Sequence, residues 1–400
     1  MPSLTASELN RVGGFAAVTG DRTRYANELD YPNLFLRPEA YYERPVKVSV
    51  MHPSGSGPKS VSRRRFAGLG AGLLAGGLAG CTGNAADPGP DGESGGNDGE
   101  YTVVASFFTF YDFADTLAEG TPVTVENLVP TGLHGHGWEP DPSIQRRITD
   151  ADALVHVGPD FQPWVDRAID TLAAESTETA LINARSGVEL IDLADSLTED
   201  EAVEDAKDPH FWLDPQRAKV AVENIADGLA ALDPDSEATI RENAEALESE
   251  LDALDEEWRA AFDAAERDVA FLAAHNAFAY VSERYGATIE PLVVNLAASN
   301  DVRPADMQRA QDTIAANDIR HIGAAVFEPI RPAKQLLEQT DVEAYYPVTP
   351  YAGTAQSWVD RGWGYFDIAR EVNLPTFRIL LGVDDPEDVT FADYGRNFEP

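Results

Sequence analysis

The chain has 400 residues, 69 of them acidic against 30 basic, for a formal net charge of −39. At that length two or three domains are expected, and 43% hydrophobic residues supply sizeable cores. So negative a surface repels nucleic acid and anionic lipid headgroups, which excludes both as partners.

The acid excess runs along the whole chain, and Lys supplies only five of the basic residues (Lys47, Lys59, Lys207, Lys219 and Lys334). This is the pattern expected of a halophile, since charges are screened within about 3 Å at 1 M salt. A single cysteine, Cys81, excludes an internal disulfide and a thiolate zinc cluster.

Residues 1–50 precede any export signal and are expected to be a non-native or disordered extension. Met51 opens a segment, 51–81, that contains "SRRRFAGLGAGLLAGGLAGC". Paired arginines, a short run of small apolar residues and Leu-Ala-Gly-Cys define a twin-arginine export signal. The ending resembles a lipoprotein box, which implies a lipid on Cys81. The stretch Phe66–Gly80 is too short and too rich in glycine to span a bilayer well. Residues 82–100, rich in Gly, Pro, Asp and Asn, read as a flexible acidic tether.

From Tyr101 strand and helix patterns alternate. "YTVVASFF", "PVTVENLV", "DALVHVGP" and "TALINA" read as strands, separated by amphipathic helical stretches. Residues 215–267 are almost entirely helical in pattern. Alternation then resumes with "VAFLAAH", "TIEPLVVN", "IRHIGAAVFEP" and "VEAYYPVTP", and "AQSWVDRGWGYFDIAREV" reads as one closing helix. The expected fold is α/β: two small parallel-sheet lobes, 101–232 and 268–382, joined by one long rigid helix, 233–267, with an acidic tail at 383–400. Clefts at the carboxyl ends of such strands bind ligands.

Three of the seven histidines fall where such a cleft belongs. His136 follows the second strand in "GLHGHGWEP", His210 lies in "DPHFWLDP" before the helical middle, and His275 ends "VAFLAAH". Neutral imidazole is the commonest protein ligand of zinc, but spacing this wide does not by itself assemble a site.

The segments "SFFTFYDFADTL", "NLVPTGLHGHGWEPDP", "DPHFWLDP", "FLAAHNAFAYVSERYG" and "VFEPIRPAKQLLEQT" occur in this order. Together they resemble the zinc and manganese receptors of ATP-driven metal importers, over roughly residues 101–382. The resemblance implies a metal held between two lobes by His136, His210 and His275. Histidine at the third position favours zinc over manganese. The resemblance also implies delivery of the metal to an ABC-transporter permease with its ATPase.

Two departures from the pattern stand out. The usual fourth ligand, an Asp before a Pro in the second lobe, is replaced in "YYPVTPYAG" by Thr349. The loop carries an additional histidine, His134, so His134 and Thr349 are candidates for a fourth or auxiliary ligand. Glu328 in "VFEP", with Asp208 and Asp214 beside His210, are expected to orient the imidazoles. His156 and His321, in or beside strands, read as structural.

The reading is of a non-enzymatic monomer, lipid-anchored on the outer face of the cell membrane, carrying Zn²⁺ or Mn²⁺ as transported ligand. The alternatives are a receptor for a metal chelate and an exported zinc hydrolase. The second lacks an H-x-H-x-D-H or H-E-x-x-H motif.

Overall fold

The computed structural model describes residues 100–133, 138, 140–192, 207–293 and 302–399, all within the unit Pro88–Pro400. The extension, export signal, Cys81, His134 and His136 lie outside the described residues. So do Ser62–Gly80 and nearly all of the tether.

The first lobe runs β1 (Tyr101–Ala105), α1 (Phe108–Leu117), β2 (Val123–Asn127), α2 (Pro142–Asp150), β3 (Ala153–His156), α3 (Pro163–Glu175) and β4 (Ala180–Asn183). Its strands are all parallel, in the order β2-β1-β3-β4. The central strands read as unbroken apolar runs because both of their faces are covered. Val103 and Val155 join the core under α1, whereas Val104 and Leu154 pack with Ile144, Ile148, Trp164 and Leu172 of α2 and α3.

Helix α4 (Pro215–Leu232) and a short 3-10 turn, Pro234–Ser236, lead into α5 (Glu237–Asp263). At 27 residues α5 is roughly 40 Å long. Ile240, Ala244, Leu247, Leu251, Leu254, Trp258 and Ala261 are buried along it. Steps of three and four residues keep these side chains on one face. Its first half serves the first lobe: the Asn243 amide donates to the carbonyls of Leu117 and Glu119, at 3.0 and 2.9 Å, and so caps α1. Its second half serves the second lobe, where Trp258 packs on Tyr285 and Phe377.

The second lobe contains β5 (Val269–His275), α6 (Ala279–Tyr285), β6 (Thr288–Val293), α7 (Pro304–Ala316), β7 (His321–Ala325), α8 (Arg331–Gln339) and β8 (Ala344–Val348). These strands too are parallel, in the order β6-β5-β7-β8. The chain thus has the expected two parallel-sheet lobes.

The closing segment departs from the single helix expected over 355–372. It forms α9 (Gln356–Arg361), α10 (Tyr365–Ile368), a π turn over Ala369–Asn373 and α11 (Leu374–Leu380). Gly362 sits at φ 68 and ends α9, a left-handed conformation that glycine adopts readily. The chain restarts where Tyr365 N–H donates to Asp112 Oδ2 of α1 at 2.8 Å. Pro375 follows directly on the π turn and brings no N–H to the helical ladder, so the regular α pattern is interrupted there.

The acidic tail is docked rather than loose. Asn397 exchanges hydrogen bonds with Tyr345 on the edge strand β8, at 3.0 and 2.9 Å. Phe398 is buried against Tyr345, and Phe391 stacks on Tyr346. Apolar anchors among the acids cover an otherwise open sheet edge. Among the described residues, no helix is long and apolar enough to cross a membrane.

Candidate metal centre

His275 is the last residue of β5, and Glu328 follows β7. Chain connections diverge between these two strands, and open parallel sheets place ligands in that crevice. His275 N–H donates to Glu328 Oε2 at 3.2 Å, and its ring Nδ1 lies 2.5 Å from Glu328 Oε1. One carboxylate therefore fixes both the backbone and the ring.

His210 is held by the same device in the first lobe. Asp208 Oδ1 accepts the His210 N–H at 2.9 Å and meets ring Nδ1 at 2.8 Å. The segment is pinned from the other lobe, because the Tyr280 hydroxyl of α6 donates to the Asp208 carbonyl at 2.7 Å. Immediately after it, the Asp214 carboxylate accepts from Gln216 N–H at 2.9 Å to cap α4, and Pro215 opens the helix.

The two rings lie 5.4 Å apart, centre to centre, and both are buried. Imidazoles sharing one tetrahedral zinc through Nε2, with Zn–N of about 2.0–2.1 Å, have ring centres about 5 Å apart. A carboxylate engages Nδ1 on each ring, so Nε2 is the nitrogen that a metal would take. Burial pushes the His210 pKa down, against the opposing pull of Asp208. The neutral form that binds metal is thereby favoured.

Aromatic rings close the first-lobe side. Trp212 lies 5.3 Å from the His210 ring, Phe161 6.3 Å from it, and Phe107 4.7 Å from Trp212. On the second-lobe side, His275 and Glu328 line one end of a cavity of about 730 Å³ that extends between α7 and α8.

The other expected residues are distributed as follows. Thr349, directly after β8, is buried. Its N–H and carbonyl are clamped by the Asn373 side chain, at 2.9 and 2.8 Å, and its Oγ1 accepts from Tyr351 N–H at 3.2 Å. Beyond its cap, the Asp214 carboxylate pairs with Arg217 at 2.8 Å and Arg284 at 3.2 Å. His156 is buried at the end of β3, where burial and nearby Arg185 lower its pKa to about 4. His321 packs against Tyr346. Among the described residues, no group of three or more His, Cys, Asp or Glu is placed to hold a metal. The structure brings His210 and His275 together, and the loop holding His134 and His136 is described up to Leu133, at Trp138 and from Pro140 onward.

Contacts that the sequence does not announce draw the lobes together around this pair. Thr109 Oγ1 donates to the Tyr351 carbonyl at 2.9 Å, Trp212 Nε1 to that of Pro350 at 2.7 Å, and the Tyr365 hydroxyl to that of Trp212 at 2.7 Å. Gly132 N–H donates to the Thr354 carbonyl at 2.8 Å.

Residues 103–374 match the family of zinc-uptake complex component A, periplasmic (ZnuA). The chain is 32% identical over 194 residues to the zinc-binding lipoprotein AdcA of Streptococcus pneumoniae, a match covering 47% of this chain and 38% of that protein. It is 25% identical over 281 residues to the high-affinity zinc uptake system protein ZnuA of Bacillus subtilis, covering 67% and 84% respectively. The fold is similar to that of the Zn(II)-bound ZnuA-like domain of S. pneumoniae AdcA. The TM-score is 0.59 at 24% identity, over 71% of this chain and 99% of that domain.

Proposed function

We propose that this chain, which belongs to the ZnuA family of periplasmic zinc-uptake components, captures Zn²⁺ outside the cell membrane and hands it to the permease of an ABC importer. The family is one of receptors, not enzymes, and the ion leaves as it arrived. One observation carries the assignment to this site: His210 and His275, from different lobes, lie 5.4 Å apart with Nδ1 of each fixed by a carboxylate. His136 supplies the third imidazole, in keeping with its place after β2. His134, Thr349 or water completes the sphere, and Glu328 and Asp208 orient the rings. A set of three imidazoles favours Zn²⁺ over the harder Mn²⁺.

Export by the twin-arginine route and lipidation of Cys81 would tether the receptor at the membrane surface. The residue pattern of 62–81 supports this. The receptor acts as a monomer, and its acid-rich composition suits high salt.

The test is metal retention by the full chain, stripped and then offered equal zinc, manganese and iron. A single zinc should remain per chain, and His136→Ala, His210→Ala and His275→Ala should each lose it. Retention of zinc by all three variants would overturn the assignment.

A further inference from the structure

The β8–α9 loop, residues 349–355, is buried throughout its length. It belongs to the second lobe but is clasped by the first, through the bonds to Tyr351 and Pro350 carbonyls given above. At its far end it meets the β2–α2 loop backbone to backbone. Gly132 N–H donates to the Thr354 carbonyl, and the Leu133 carbonyl faces Gly353. A Cβ built on Gly353 would lie 2.1 Å from Leu133 O and 3.2 Å from Leu133 C. No side chain fits that gap, and the obstacle is backbone, which cannot rotate out of the way as a flexible side chain could. Leu133 immediately precedes His134 and stands three residues before His136.

We propose that Gly353 is a positioning residue for metal capture. Its lack of a side chain lets the β2–α2 loop seat directly on the second lobe, and that seat sets where the loop presents its histidine. The inference rests on His136 being a ligand, as proposed above. A Cβ on Gly353 would meet the Leu133 backbone and, at 3.9 Å, the Phe327 ring, so Gly353 acts through the Leu133 carbonyl.

The seam supplies its own comparison. Gly364 is also tight, but its Cβ would meet the Asp112 carboxylate, at 2.5 Å, on α1 rather than the loop. A Cβ on Gly395 would meet nothing within 4 Å.

Gly353→Ala, Gly364→Ala and Gly395→Ala in the full chain are compared by zinc titration, by the visible spectrum of the Co²⁺ form and by thermal melting without metal. Gly353→Ala should bind zinc roughly ten- to hundredfold more weakly, the range for losing a group that supports a metal ligand. Its Co²⁺ spectrum should change as one imidazole is lost. Gly364→Ala should lower the metal-free melting temperature while keeping the wild-type Co²⁺ spectrum, and Gly395→Ala should match wild type throughout. Gly353→Ala with wild-type affinity and spectrum overturns the proposal, as does an equal loss of zinc in Gly364→Ala. Should Gly353→Ala fold poorly, the Co²⁺ spectrum of its folded fraction decides: unchanged ligation counts against positioning. Wild-type protein that binds no zinc would instead refute the function proposed above.

Discussion

Asp208 and Glu328 solve one problem on opposite sides of the cleft: each fixes a backbone N–H and a ring Nδ1 at once. Removing such a partner frees the ring and lowers its basicity, typically costing roughly ten- to hundredfold in metal affinity. Glu328→Ala should weaken zinc binding by that order. Glu328→Gln retains a carbonyl to accept from Nδ1 and should lose markedly less. Calorimetric titration of the two variants checks the ordering, and equal losses would show that the carboxylate charge, not the hydrogen bond, is what matters. The same residues mark the limit of what sequence conveys. His210 and Asp208 are two residues apart, so their association is legible. Glu328 is 53 residues from His275, and only the neighbouring β5 and β7 bring them together. Asp214 is also close to His210 in sequence, yet helix capping and two arginines engage its oxygens. The clamp of Asn373 on Thr349 depends on a π turn that no residue pattern spells out.

At the scale of elements, the junction of α4, α5 and α6 is tied by charge as well as by packing. The Arg284 guanidinium of α6 forks onto Asp255 of α5, at 2.5 and 2.7 Å, and its Nε lies 3.2 Å from Asp214 at the cap of α4. Tyr285 O–H donates to Asp255 at 2.8 Å. Burial acts to raise the Asp255 pKa, but the bonds from Arg284 and Tyr285 outweigh it and hold the carboxyl at about 2, against an ordinary 3.8. The folded-state value lies below the unfolded one. The stabilisation is therefore complete above about pH 4 and disappears as pH falls through about 2. Its size is about 2 kcal/mol. Asp255→Asn should lose that amount at neutral pH, and its acid-unfolding curve should be flatter than wild type between about pH 4 and 2. Urea melts across that range measure both. Strand β5 was readable to its bounds, Val269–His275, because apolar β-formers run unbroken up to the histidine. The segment after β8 was not. Its helical periodicity runs through Gly362, whereas in the structure the chain stops there to let Gly364 and Tyr365 meet Asp112 on the first lobe. That contact spans 253 positions.

Over the whole molecule the net charge of −39 acts in two opposite directions. Like charges oppose folding through self-repulsion, and this reaches about 30 Å at 0.01 M salt but only about 3 Å at 1 M. Exposed pairs such as Arg147–Glu126 offset little of it, since both side chains are more than a third exposed. Melting temperature without metal should therefore climb as KCl rises from about 0.01 to 1 M. The 2 kcal/mol lost in Asp255→Asn should change little, because the group is buried and screened weakly. The same negative field draws Zn²⁺ toward the cleft, so the zinc association rate should fall over the same range as steering is screened. Stopped-flow binding and thermal melts on one salt series separate the two effects. Opposite slopes are the signature of a charge that costs stability and speeds capture. A melting temperature indifferent to salt would mean that the acids are too well hydrated and dispersed to oppose folding, and the halophilic reading of the composition would lose its physical basis.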